Sequence, residues 1–160
     1  MANPSISSRL AKPSDLESIA SLEDAIFPAR MRFSRRQIRY LLSSARCVTV
    51  LAFAAGQCVG CCIGLSSTLR NGEVRGRIYS LGVVERFRRS GVGSLLLGNV
   101  EGRLLRMGAR TISLETLDRR EGARRFFSRR GYQVTSLLPD YYRPGDALRM
   151  AKHFTKLLPT

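Results

Sequence analysis

Hydrophobic positions in the first part of the chain recur at helical spacing. Leu16, Ile19, Ala20, Leu22 and Ala25 follow this period, and Ser14-Asp15-Leu16-Glu17 in front of them has the form of a capping box. The pattern predicts a helix that stops before Pro28, preceded by a strand over 6–11. A second capping-box pattern, Ser34-Arg35-Arg36-Gln37, opens a shorter helix through Ile38, Leu41 and Leu42. The period then changes. Residues 47–54 and 58–65 are apolar and rich in β-branched types, and they flank Ala55-Gly56-Gln57, which predicts an antiparallel hairpin. Asn71-Gly72 marks a turn into the run beginning at Gly76.

From there the periods alternate: strand over 78–84, helix over 93–107, strand over 110–116, helix over 120–130, strand over 132–137. Gly108 and Gly131 fall where helix C-caps belong, and a turn at Pro144-Gly145 leads into a last strand over 147–154. Strand–helix–strand units with short connections are most simply right-handed parallel crossovers. Antiparallel strands first and a crossover later predict an α/β chain with a mixed sheet and helices on both faces. No internal repeat or low-complexity tract interrupts it.

Composition narrows the picture. A chain of 160 residues that is 44% hydrophobic and 24% charged suits one domain over its whole length. Residues 1–13 hold no apolar stretch of signal-peptide length, and nothing approaches the ~18 uninterrupted apolar residues of a membrane span, so a soluble cytoplasmic protein is expected. The formal net charge is +15, and the only lysines are Lys12, Lys152 and Lys156, so the field is arginine's. Such a field suits polyanions, whether coenzyme phosphates, nucleic acid, ribosomes or acidic protein tails, or else is a solvated surface; it argues against polyamine substrates. Cys58-Val59-Gly60-Cys61 has C-x-x-C spacing but no second ligand pair. In a regular strand Cys58 and Cys62 would share one side and Cys61 the other, so buried thiols are expected and no metal site.

The densest chemistry lies in Arg88-Arg89-Ser90-Gly91-Val92-Gly93-Ser94, between a strand and a helix. Glycines here permit a tight turn at Gly91 and close ligand approach at Gly93, and the helix start offers free N–H groups at the positive end of its dipole. A P-loop would need a Gly-Lys-Ser/Thr ending, and a dinucleotide fingerprint a third glycine where Leu96 stands. A pyrophosphate cradle of another kind remains.

The Arg-x-x-Gly-x-Gly spacing resembles the acyl-CoA loop of the GCN5-related N-acetyltransferases, and within them the RimI-like N-terminal acetyltransferases. Residues 78–83 look like their central strand and Leu114-Glu115-Thr116 like their Leu-Glu-Val strand end. Phe126 to Tyr132 look like their Leu-Tyr-x-x-x-Gly-Phe, and the stretch from Tyr141 to Met150 like their Tyr-Tyr-x-x-Gly-x-Asp-Ala-x-x-Met. Phe27-Pro28 falls where that group often has Phe-Pro.

The resemblance implies a mostly antiparallel sheet with one splayed parallel pair, and acetyl-CoA as cosubstrate. Backbone groups of Leu81 and Val83 would pair with pantetheine, and Arg88, Arg89, Ser90, Gly91, Val92, Gly93 and Ser94 would cradle the pyrophosphate. Glu115 would be the general base, directly or through water; its alternative is a structural carboxylate paired with arginine. Tyr79, Tyr141 and Tyr142 would line the acceptor groove, with Phe27 and Met31 as walls for the first residue's side chain. Two positions depart from the family. Phe127 stands where a tyrosine would protonate the leaving thiolate, and Arg120 where an asparagine would contact the coenzyme. Tyr79, Tyr132, Tyr141 or Tyr142 are the hydroxyls left to act in place of Phe127. The activity implied is acetylation of a protein α-amine, ribosomal or otherwise nucleic-acid-associated, by a monomer or homodimer. Acetylation of a lysine or small amine, and a non-catalytic acyl-CoA-binding module on the ribosome or RNA, are the alternatives.

Overall fold

The computed structural model describes residues 4–143 and 145–155. Strands β1 (Ile6–Leu10), β2 (Cys47–Ala54), β3 (Gln57–Thr68), β4 (Val74–Val83), β5 (Thr111–Leu117), β6 (Gln133–Leu138) and β7 (Ala147–His153) form one sheet in the order β1-β2-β3-β4-β5-β7-β6. Every neighbouring pair is antiparallel except β4 and β5. Helices α1 (Leu16–Ile26), α2 (Arg35–Ser43), α3 (Val92–Arg106) and α4 (Glu121–Arg129) complete the elements. The mixed sheet with helices on both faces is the expected class.

Two cores sandwich the sheet. On one face Val92, Leu96, Leu97, Val100 and Leu104 of α3 pack with Val50, Cys62, Ile78 and Ile112, and α4 adds Phe127. On the other, Ile19 and Leu22 of α1 and Ile38 and Leu41 of α2 cover Leu51, Cys61 and Ile63. Alternation along β2 and β3 divides the two sets. Where α3 crosses β3 the backbones come close: a Cβ on Gly64 would stand 2.6 Å from Val100 Cγ1.

Several elements differ from expectation. β3 runs to Thr68 and β4 begins at Val74, so the hairpin around Asn71-Gly72 is longer than its apolar stretch. The Ser14 capping box does not form. Ser14 lies inside a 3-10 turn, where Asp15 accepts the Lys12 amide at 2.6 Å and pairs with Arg9 at 2.7 Å, while Glu17 turns to Arg35. The Ser34 box does form, with Ser34 Oγ accepting from Gln37 N at 3.2 Å and Gln37 Oε1 accepting from Ser34 N at 2.7 Å.

The cysteines are a second correction. Leu51 pairs Cys61, Ala52 pairs Gly60 and Phe53 pairs Cys58, which leaves Val59 as an extra residue. That bulge reverses the facing of everything before it. Cys58 therefore joins Cys61 on the α1/α2 side, while Cys62 faces α3. All four thiols are free, and among the described residues no three His, Cys, Asp or Glu side chains form a metal-binding group.

The crossover after β5 also has a twist in its order. α4 leads into β6, yet β6 does not lie beside β5; β7 inserts between them. β7 buries Ala147, Leu148 and Met150 in the interior place, whereas β6, at the edge, leaves Val134 and Leu137 exposed. Of the expected turn at Pro144-Gly145, Pro144 lies outside the described residues; Gly145 has φ +130° and its carbonyl accepts from Tyr142 N.

Candidate active site

β4 and β5 pair only from Arg75↔Thr111 to Ile78↔Leu114. Opposite β3, Ile63 pairs Ser80 and Gly64 pairs Ile78, so Tyr79 is a bulge residue and β4 bends there. Beyond it the two strands part around a cleft of about 780 Å³. The cleft passes through the sheet. Leu81, Ala123 and Phe127 line it toward α3 and α4, and Phe27, Met31, Phe33 and Tyr40 line it toward α1 and α2.

Leu81 and Val83 lie past the last β4–β5 pair, on the edge that faces the gap. The Val83 carbonyl accepts from Arg88 Nε at 3.1 Å. After a 3-10 turn over Glu85–Phe87, the loop reaches α3 through two left-handed residues, Arg89 at φ +62° and Gly91 at φ +87°. Ser90 Oγ–H donates to the Phe87 carbonyl. Gly91 is the N-cap of α3 and no side chain caps it. Because the first helical bond runs from Leu95 N to Gly91 O, the amides of Val92, Gly93 and Ser94 have no intrahelical acceptor. Exposed Arg88 and Arg89 add positive charge. Gly93 has a further use, since a Cβ there would meet the Phe126 ring at 3.3 Å. Its missing side chain lets α4 approach α3.

Glu115 lies in the middle of the cleft, held from both sides. Arg77 Nε donates to Oε2 at 3.0 Å from the neighbouring β4, and Arg149 Nε donates to Oε1 at 3.1 Å from β7, where Arg149 is Glu115's register partner. The carboxylate is 6% exposed against 40% and 43% for the two arginines, so it is the arginines that hold the water contact. Arg77 also donates to Tyr141 Oη at 3.1 Å and stacks on the Tyr79 ring at 4.8 Å. Tyr141 and Tyr142 meet edge to face at 4.9 Å. Burial pushes the Tyr142 hydroxyl up to about 12, which keeps it a protonated donor at neutral pH.

Phe27, Tyr79, Leu81, Glu115, Arg120, Phe127, Tyr141 and Tyr142 all line this one cleft; Val83 and Arg88 to Ser94 do not line it, and the start of α3 meets the cleft's α4 wall through Gly93 and Phe126. Tyr132 does not join them. It is buried and donates to Glu101 Oε2 at 2.8 Å. Phe127 packs edge to face on Phe126 and Tyr132, at 5.2 and 5.7 Å.

Sequence reading missed Arg77 and Arg149, whose link to Glu115 exists only through strand register. It also missed Glu23, on the buried face of α1. Its carboxylate accepts from Phe33 N at 3.2 Å and Ser80 Oγ at 3.3 Å, which ties the segment between α1 and α2 to the splayed end of β4. Burial holds its pKa above the ordinary carboxylate range, opposed by those two donors. The signal was present: Glu23 falls four residues after Ile19 and three before Ile26, a charge on an apolar stripe.

The structure resembles Arabidopsis thaliana Naa50 in complex with the bisubstrate analogue CoA-Ac-MVNAL, at TM-score 0.82 and 25% identity over 94% of this chain and 99% of that one. It also resembles the ribosomal-protein-S18-alanine N-acetyltransferase from Escherichia coli (TM-score 0.81, 16% identity, 98% of each chain). A third likeness is Arabidopsis thaliana NAA60 in complex with acetyl-CoA (TM-score 0.83, 18% identity, 93% of this chain and 98% of that one). An uncharacterized N-acetyltransferase, CT2212, of Chlorobaculum tepidum is 37% identical over 78 residues, which is 49% of this chain and 44% of that protein. The family model described as the Acetyltransferase (GNAT) family matches residues 16–132. With that match across most of the chain and the splayed β4–β5 pair beside an uncapped helix start, this protein belongs to the GNAT acetyltransferase family.

Proposed function

We propose that the protein transfers an acetyl group from acetyl-CoA to a protein N-terminal α-amine. The observation that carries this reading is the cleft between the parted β4 and β5, lined at one end by Leu81 and by Ala123 and Phe127 of α4, the helix that meets α3 at Gly93, and at the other by the α1–α2 segment and Tyr141. Acetyl-CoA would enter from the α3 side, its pyrophosphate on the 88–94 loop and its pantetheine along Leu81 and Val83. The acceptor would enter from the α1/α2 side. Solved relatives carrying acetyl-CoA or a CoA–peptide analogue support both ends of this assignment.

The chemistry asks little of the protein. A neutral amine attacks the thioester carbonyl, the C–N bond forms, the C–S bond breaks, and one proton leaves the nitrogen while the thiolate gains one. An α-amine, with a pKa near ~8 against ~10.4 for lysine, is the easier nucleophile at neutral pH. Glu115 is assigned the proton from nitrogen. Arg77 meets Oε2 through Nε and Nη2 and Arg149 meets Oε1 through Nε alone, so Oε1 keeps a lone pair to take the proton, directly or through a water. Phe127 has no proton to give, so the thiolate takes its proton from solvent or from the protonated Tyr142 hydroxyl. Arg120 would contact the coenzyme in place of the family asparagine.

A second reading rests on Phe127: a non-catalytic acyl-CoA-binding module on a ribosome or RNA. Release of free thiol from acetyl-CoA in the presence of N-terminal peptides, lysine peptides and small amines separates the two. Turnover confined to peptide α-amines is expected. Coenzyme binding with no turnover on any acceptor would replace the enzyme by the module. Among the described residues no helix is long and apolar enough to cross a membrane, and a cytoplasmic, single-domain monomer or homodimer is part of the proposal.

A further inference from the structure

The acceptor end of the cleft is strongly cationic. Arg30, from the turn between α1 and α2, Arg36, from the first turn of α2, and Arg77 all line it. Among the described residues Glu115 is the one acidic side chain lining the cleft, and Arg77 and Arg149 already engage it.

The arginines of this segment differ in what they meet within the chain. Arg32 donates to the carbonyls of Phe27 and Asp24 and lies 3.8 Å from the Asp24 carboxylate. Arg35 binds both oxygens of Glu17. Arg30 and Arg36, the two that line the cleft, have no ion pair or side-chain hydrogen bond among the described residues. Arg36 also stands in the first turn of α2, where the helix dipole disfavours a cation and where no acidic residue accompanies it. Arg30 and Arg36 are both exposed, so their guanidinium groups are free to meet an anionic group that enters the cleft.

Resting on the α-amine reading above, we propose that the acceptor is an acidic protein N-terminus, with Asp or Glu at the first few positions after the reactive amine. The amine itself reaches Glu115, while the following carboxylates lie against Arg30 and Arg36. Basic N-termini would face like charge at every step of entry.

Three peptides with the same first residue, followed by acidic, alanine or basic residues at the next three positions, test this with acetyl-CoA and thiol release. Exposed ion pairs contribute at most a few-fold each, so kcat/KM for the acidic peptide is expected up to about tenfold above the alanine peptide, and the basic peptide is expected lowest. Raising salt from about 0.1 M to about 1 M shortens the Debye length from about 10 Å to about 3 Å and should shrink the preference. The same ratio measured for an Arg30→Ser, Arg36→Ser double variant should fall toward one. Equal rates on all three peptides, or preference for the basic one, overturns the inference and leaves α-amine acetylation standing. A ratio unchanged in the double variant overturns the assignment to these arginines. Turnover on lysine or small amines with none on any of the peptides overturns the α-amine reading and the inference with it.

Discussion

A methyl group added at Gly64 and one added at Gly98 should move stability in opposite directions. Gly64 lies in β3 beneath α3 with an ordinary backbone conformation, so alanine is permitted there by φ and excluded only by space. Its Cβ would stand 2.6 Å from Val100 Cγ1 and 3.1 Å from Leu104 Cδ1, and both side chains are fully buried. Neither can swing to solvent, and β3 is held between Val48 and Ile78 in register. Overpacking of this kind costs about 1–3 kcal/mol, offset by about 0.4–1 kcal/mol from the less flexible unfolded chain. Gly64→Ala should therefore lose about 1–2 kcal/mol, which for a chain of this size is a fall of about 2–8 °C in Tm. Gly98 is exposed on α3 with nothing within 4 Å of its would-be Cβ. Gly98→Ala should gain about 0.5–1 kcal/mol of helix stability, a rise of about 1–4 °C. Calorimetry with a two-state check measures both. Because α3 carries the amides assigned to pyrophosphate, Gly64→Ala should also weaken acetyl-CoA binding. An unchanged or raised Tm for Gly64→Ala, or a lowered one for Gly98→Ala, would refute the packing of α3 on β3 described above.

Glu115→Gln should reduce kcat by about 10²–10⁴ with little change in acetyl-CoA affinity, and equal turnover would remove Glu115 from the mechanism. Glu23 titrates in the folded protein above its unfolded value, so the folded state holds the extra proton between those two pKa values and stability falls as pH rises through that window. Glu23→Gln keeps an acceptor oxygen and has no charge to bury; in urea melts its stability relative to the parent should increase from pH 4 to 7, and a constant difference would contradict this. Cys61 and Cys62 are fully buried with thiols held well above the ordinary range, whereas Cys47 and Cys58 are partly exposed. Native iodoacetamide labelling read by mass spectrometry should therefore stop at Cys47 and Cys58, and labelling at Cys61 or Cys62 before unfolding would contradict the burial.

Elements whose pattern is local were legible in the sequence. The Ser34 capping box, the 47–54 and 58–65 hairpin and the strand–loop–helix at Arg88 to Ser94 depend on neighbours within a few residues. So do the glycines at positive φ, such as Gly91. Where a local pattern had a competitor farther away it failed: Ser14 and Glu17 formed no box because Arg9 and Arg35 drew Asp15 and Glu17 elsewhere. The bulge at Val59 was invisible for the same reason. One inserted residue is a matter of pairing with β2, and it reversed the side on which Cys58 lies.

The candidate site divides along the same line. Sequence alone was enough for the glycine-containing turn into α3 and for the residue types that line the cleft, because spacing along one strand or one helix start sets which groups point together. Tertiary structure decided what those residues face. Strand register brought Arg77 and Arg149 onto Glu115 from 38 and 34 residues away, and β7 entered between β5 and β6 to make that possible. The parting of β4 from β5 at the Tyr79 bulge opened one cleft, and the packing of the α1–α2 segment over it brought Arg30 and Arg36 to its lining. Charge and its partner meet across strands and segments distant in sequence, and only the folded chain sets those distances.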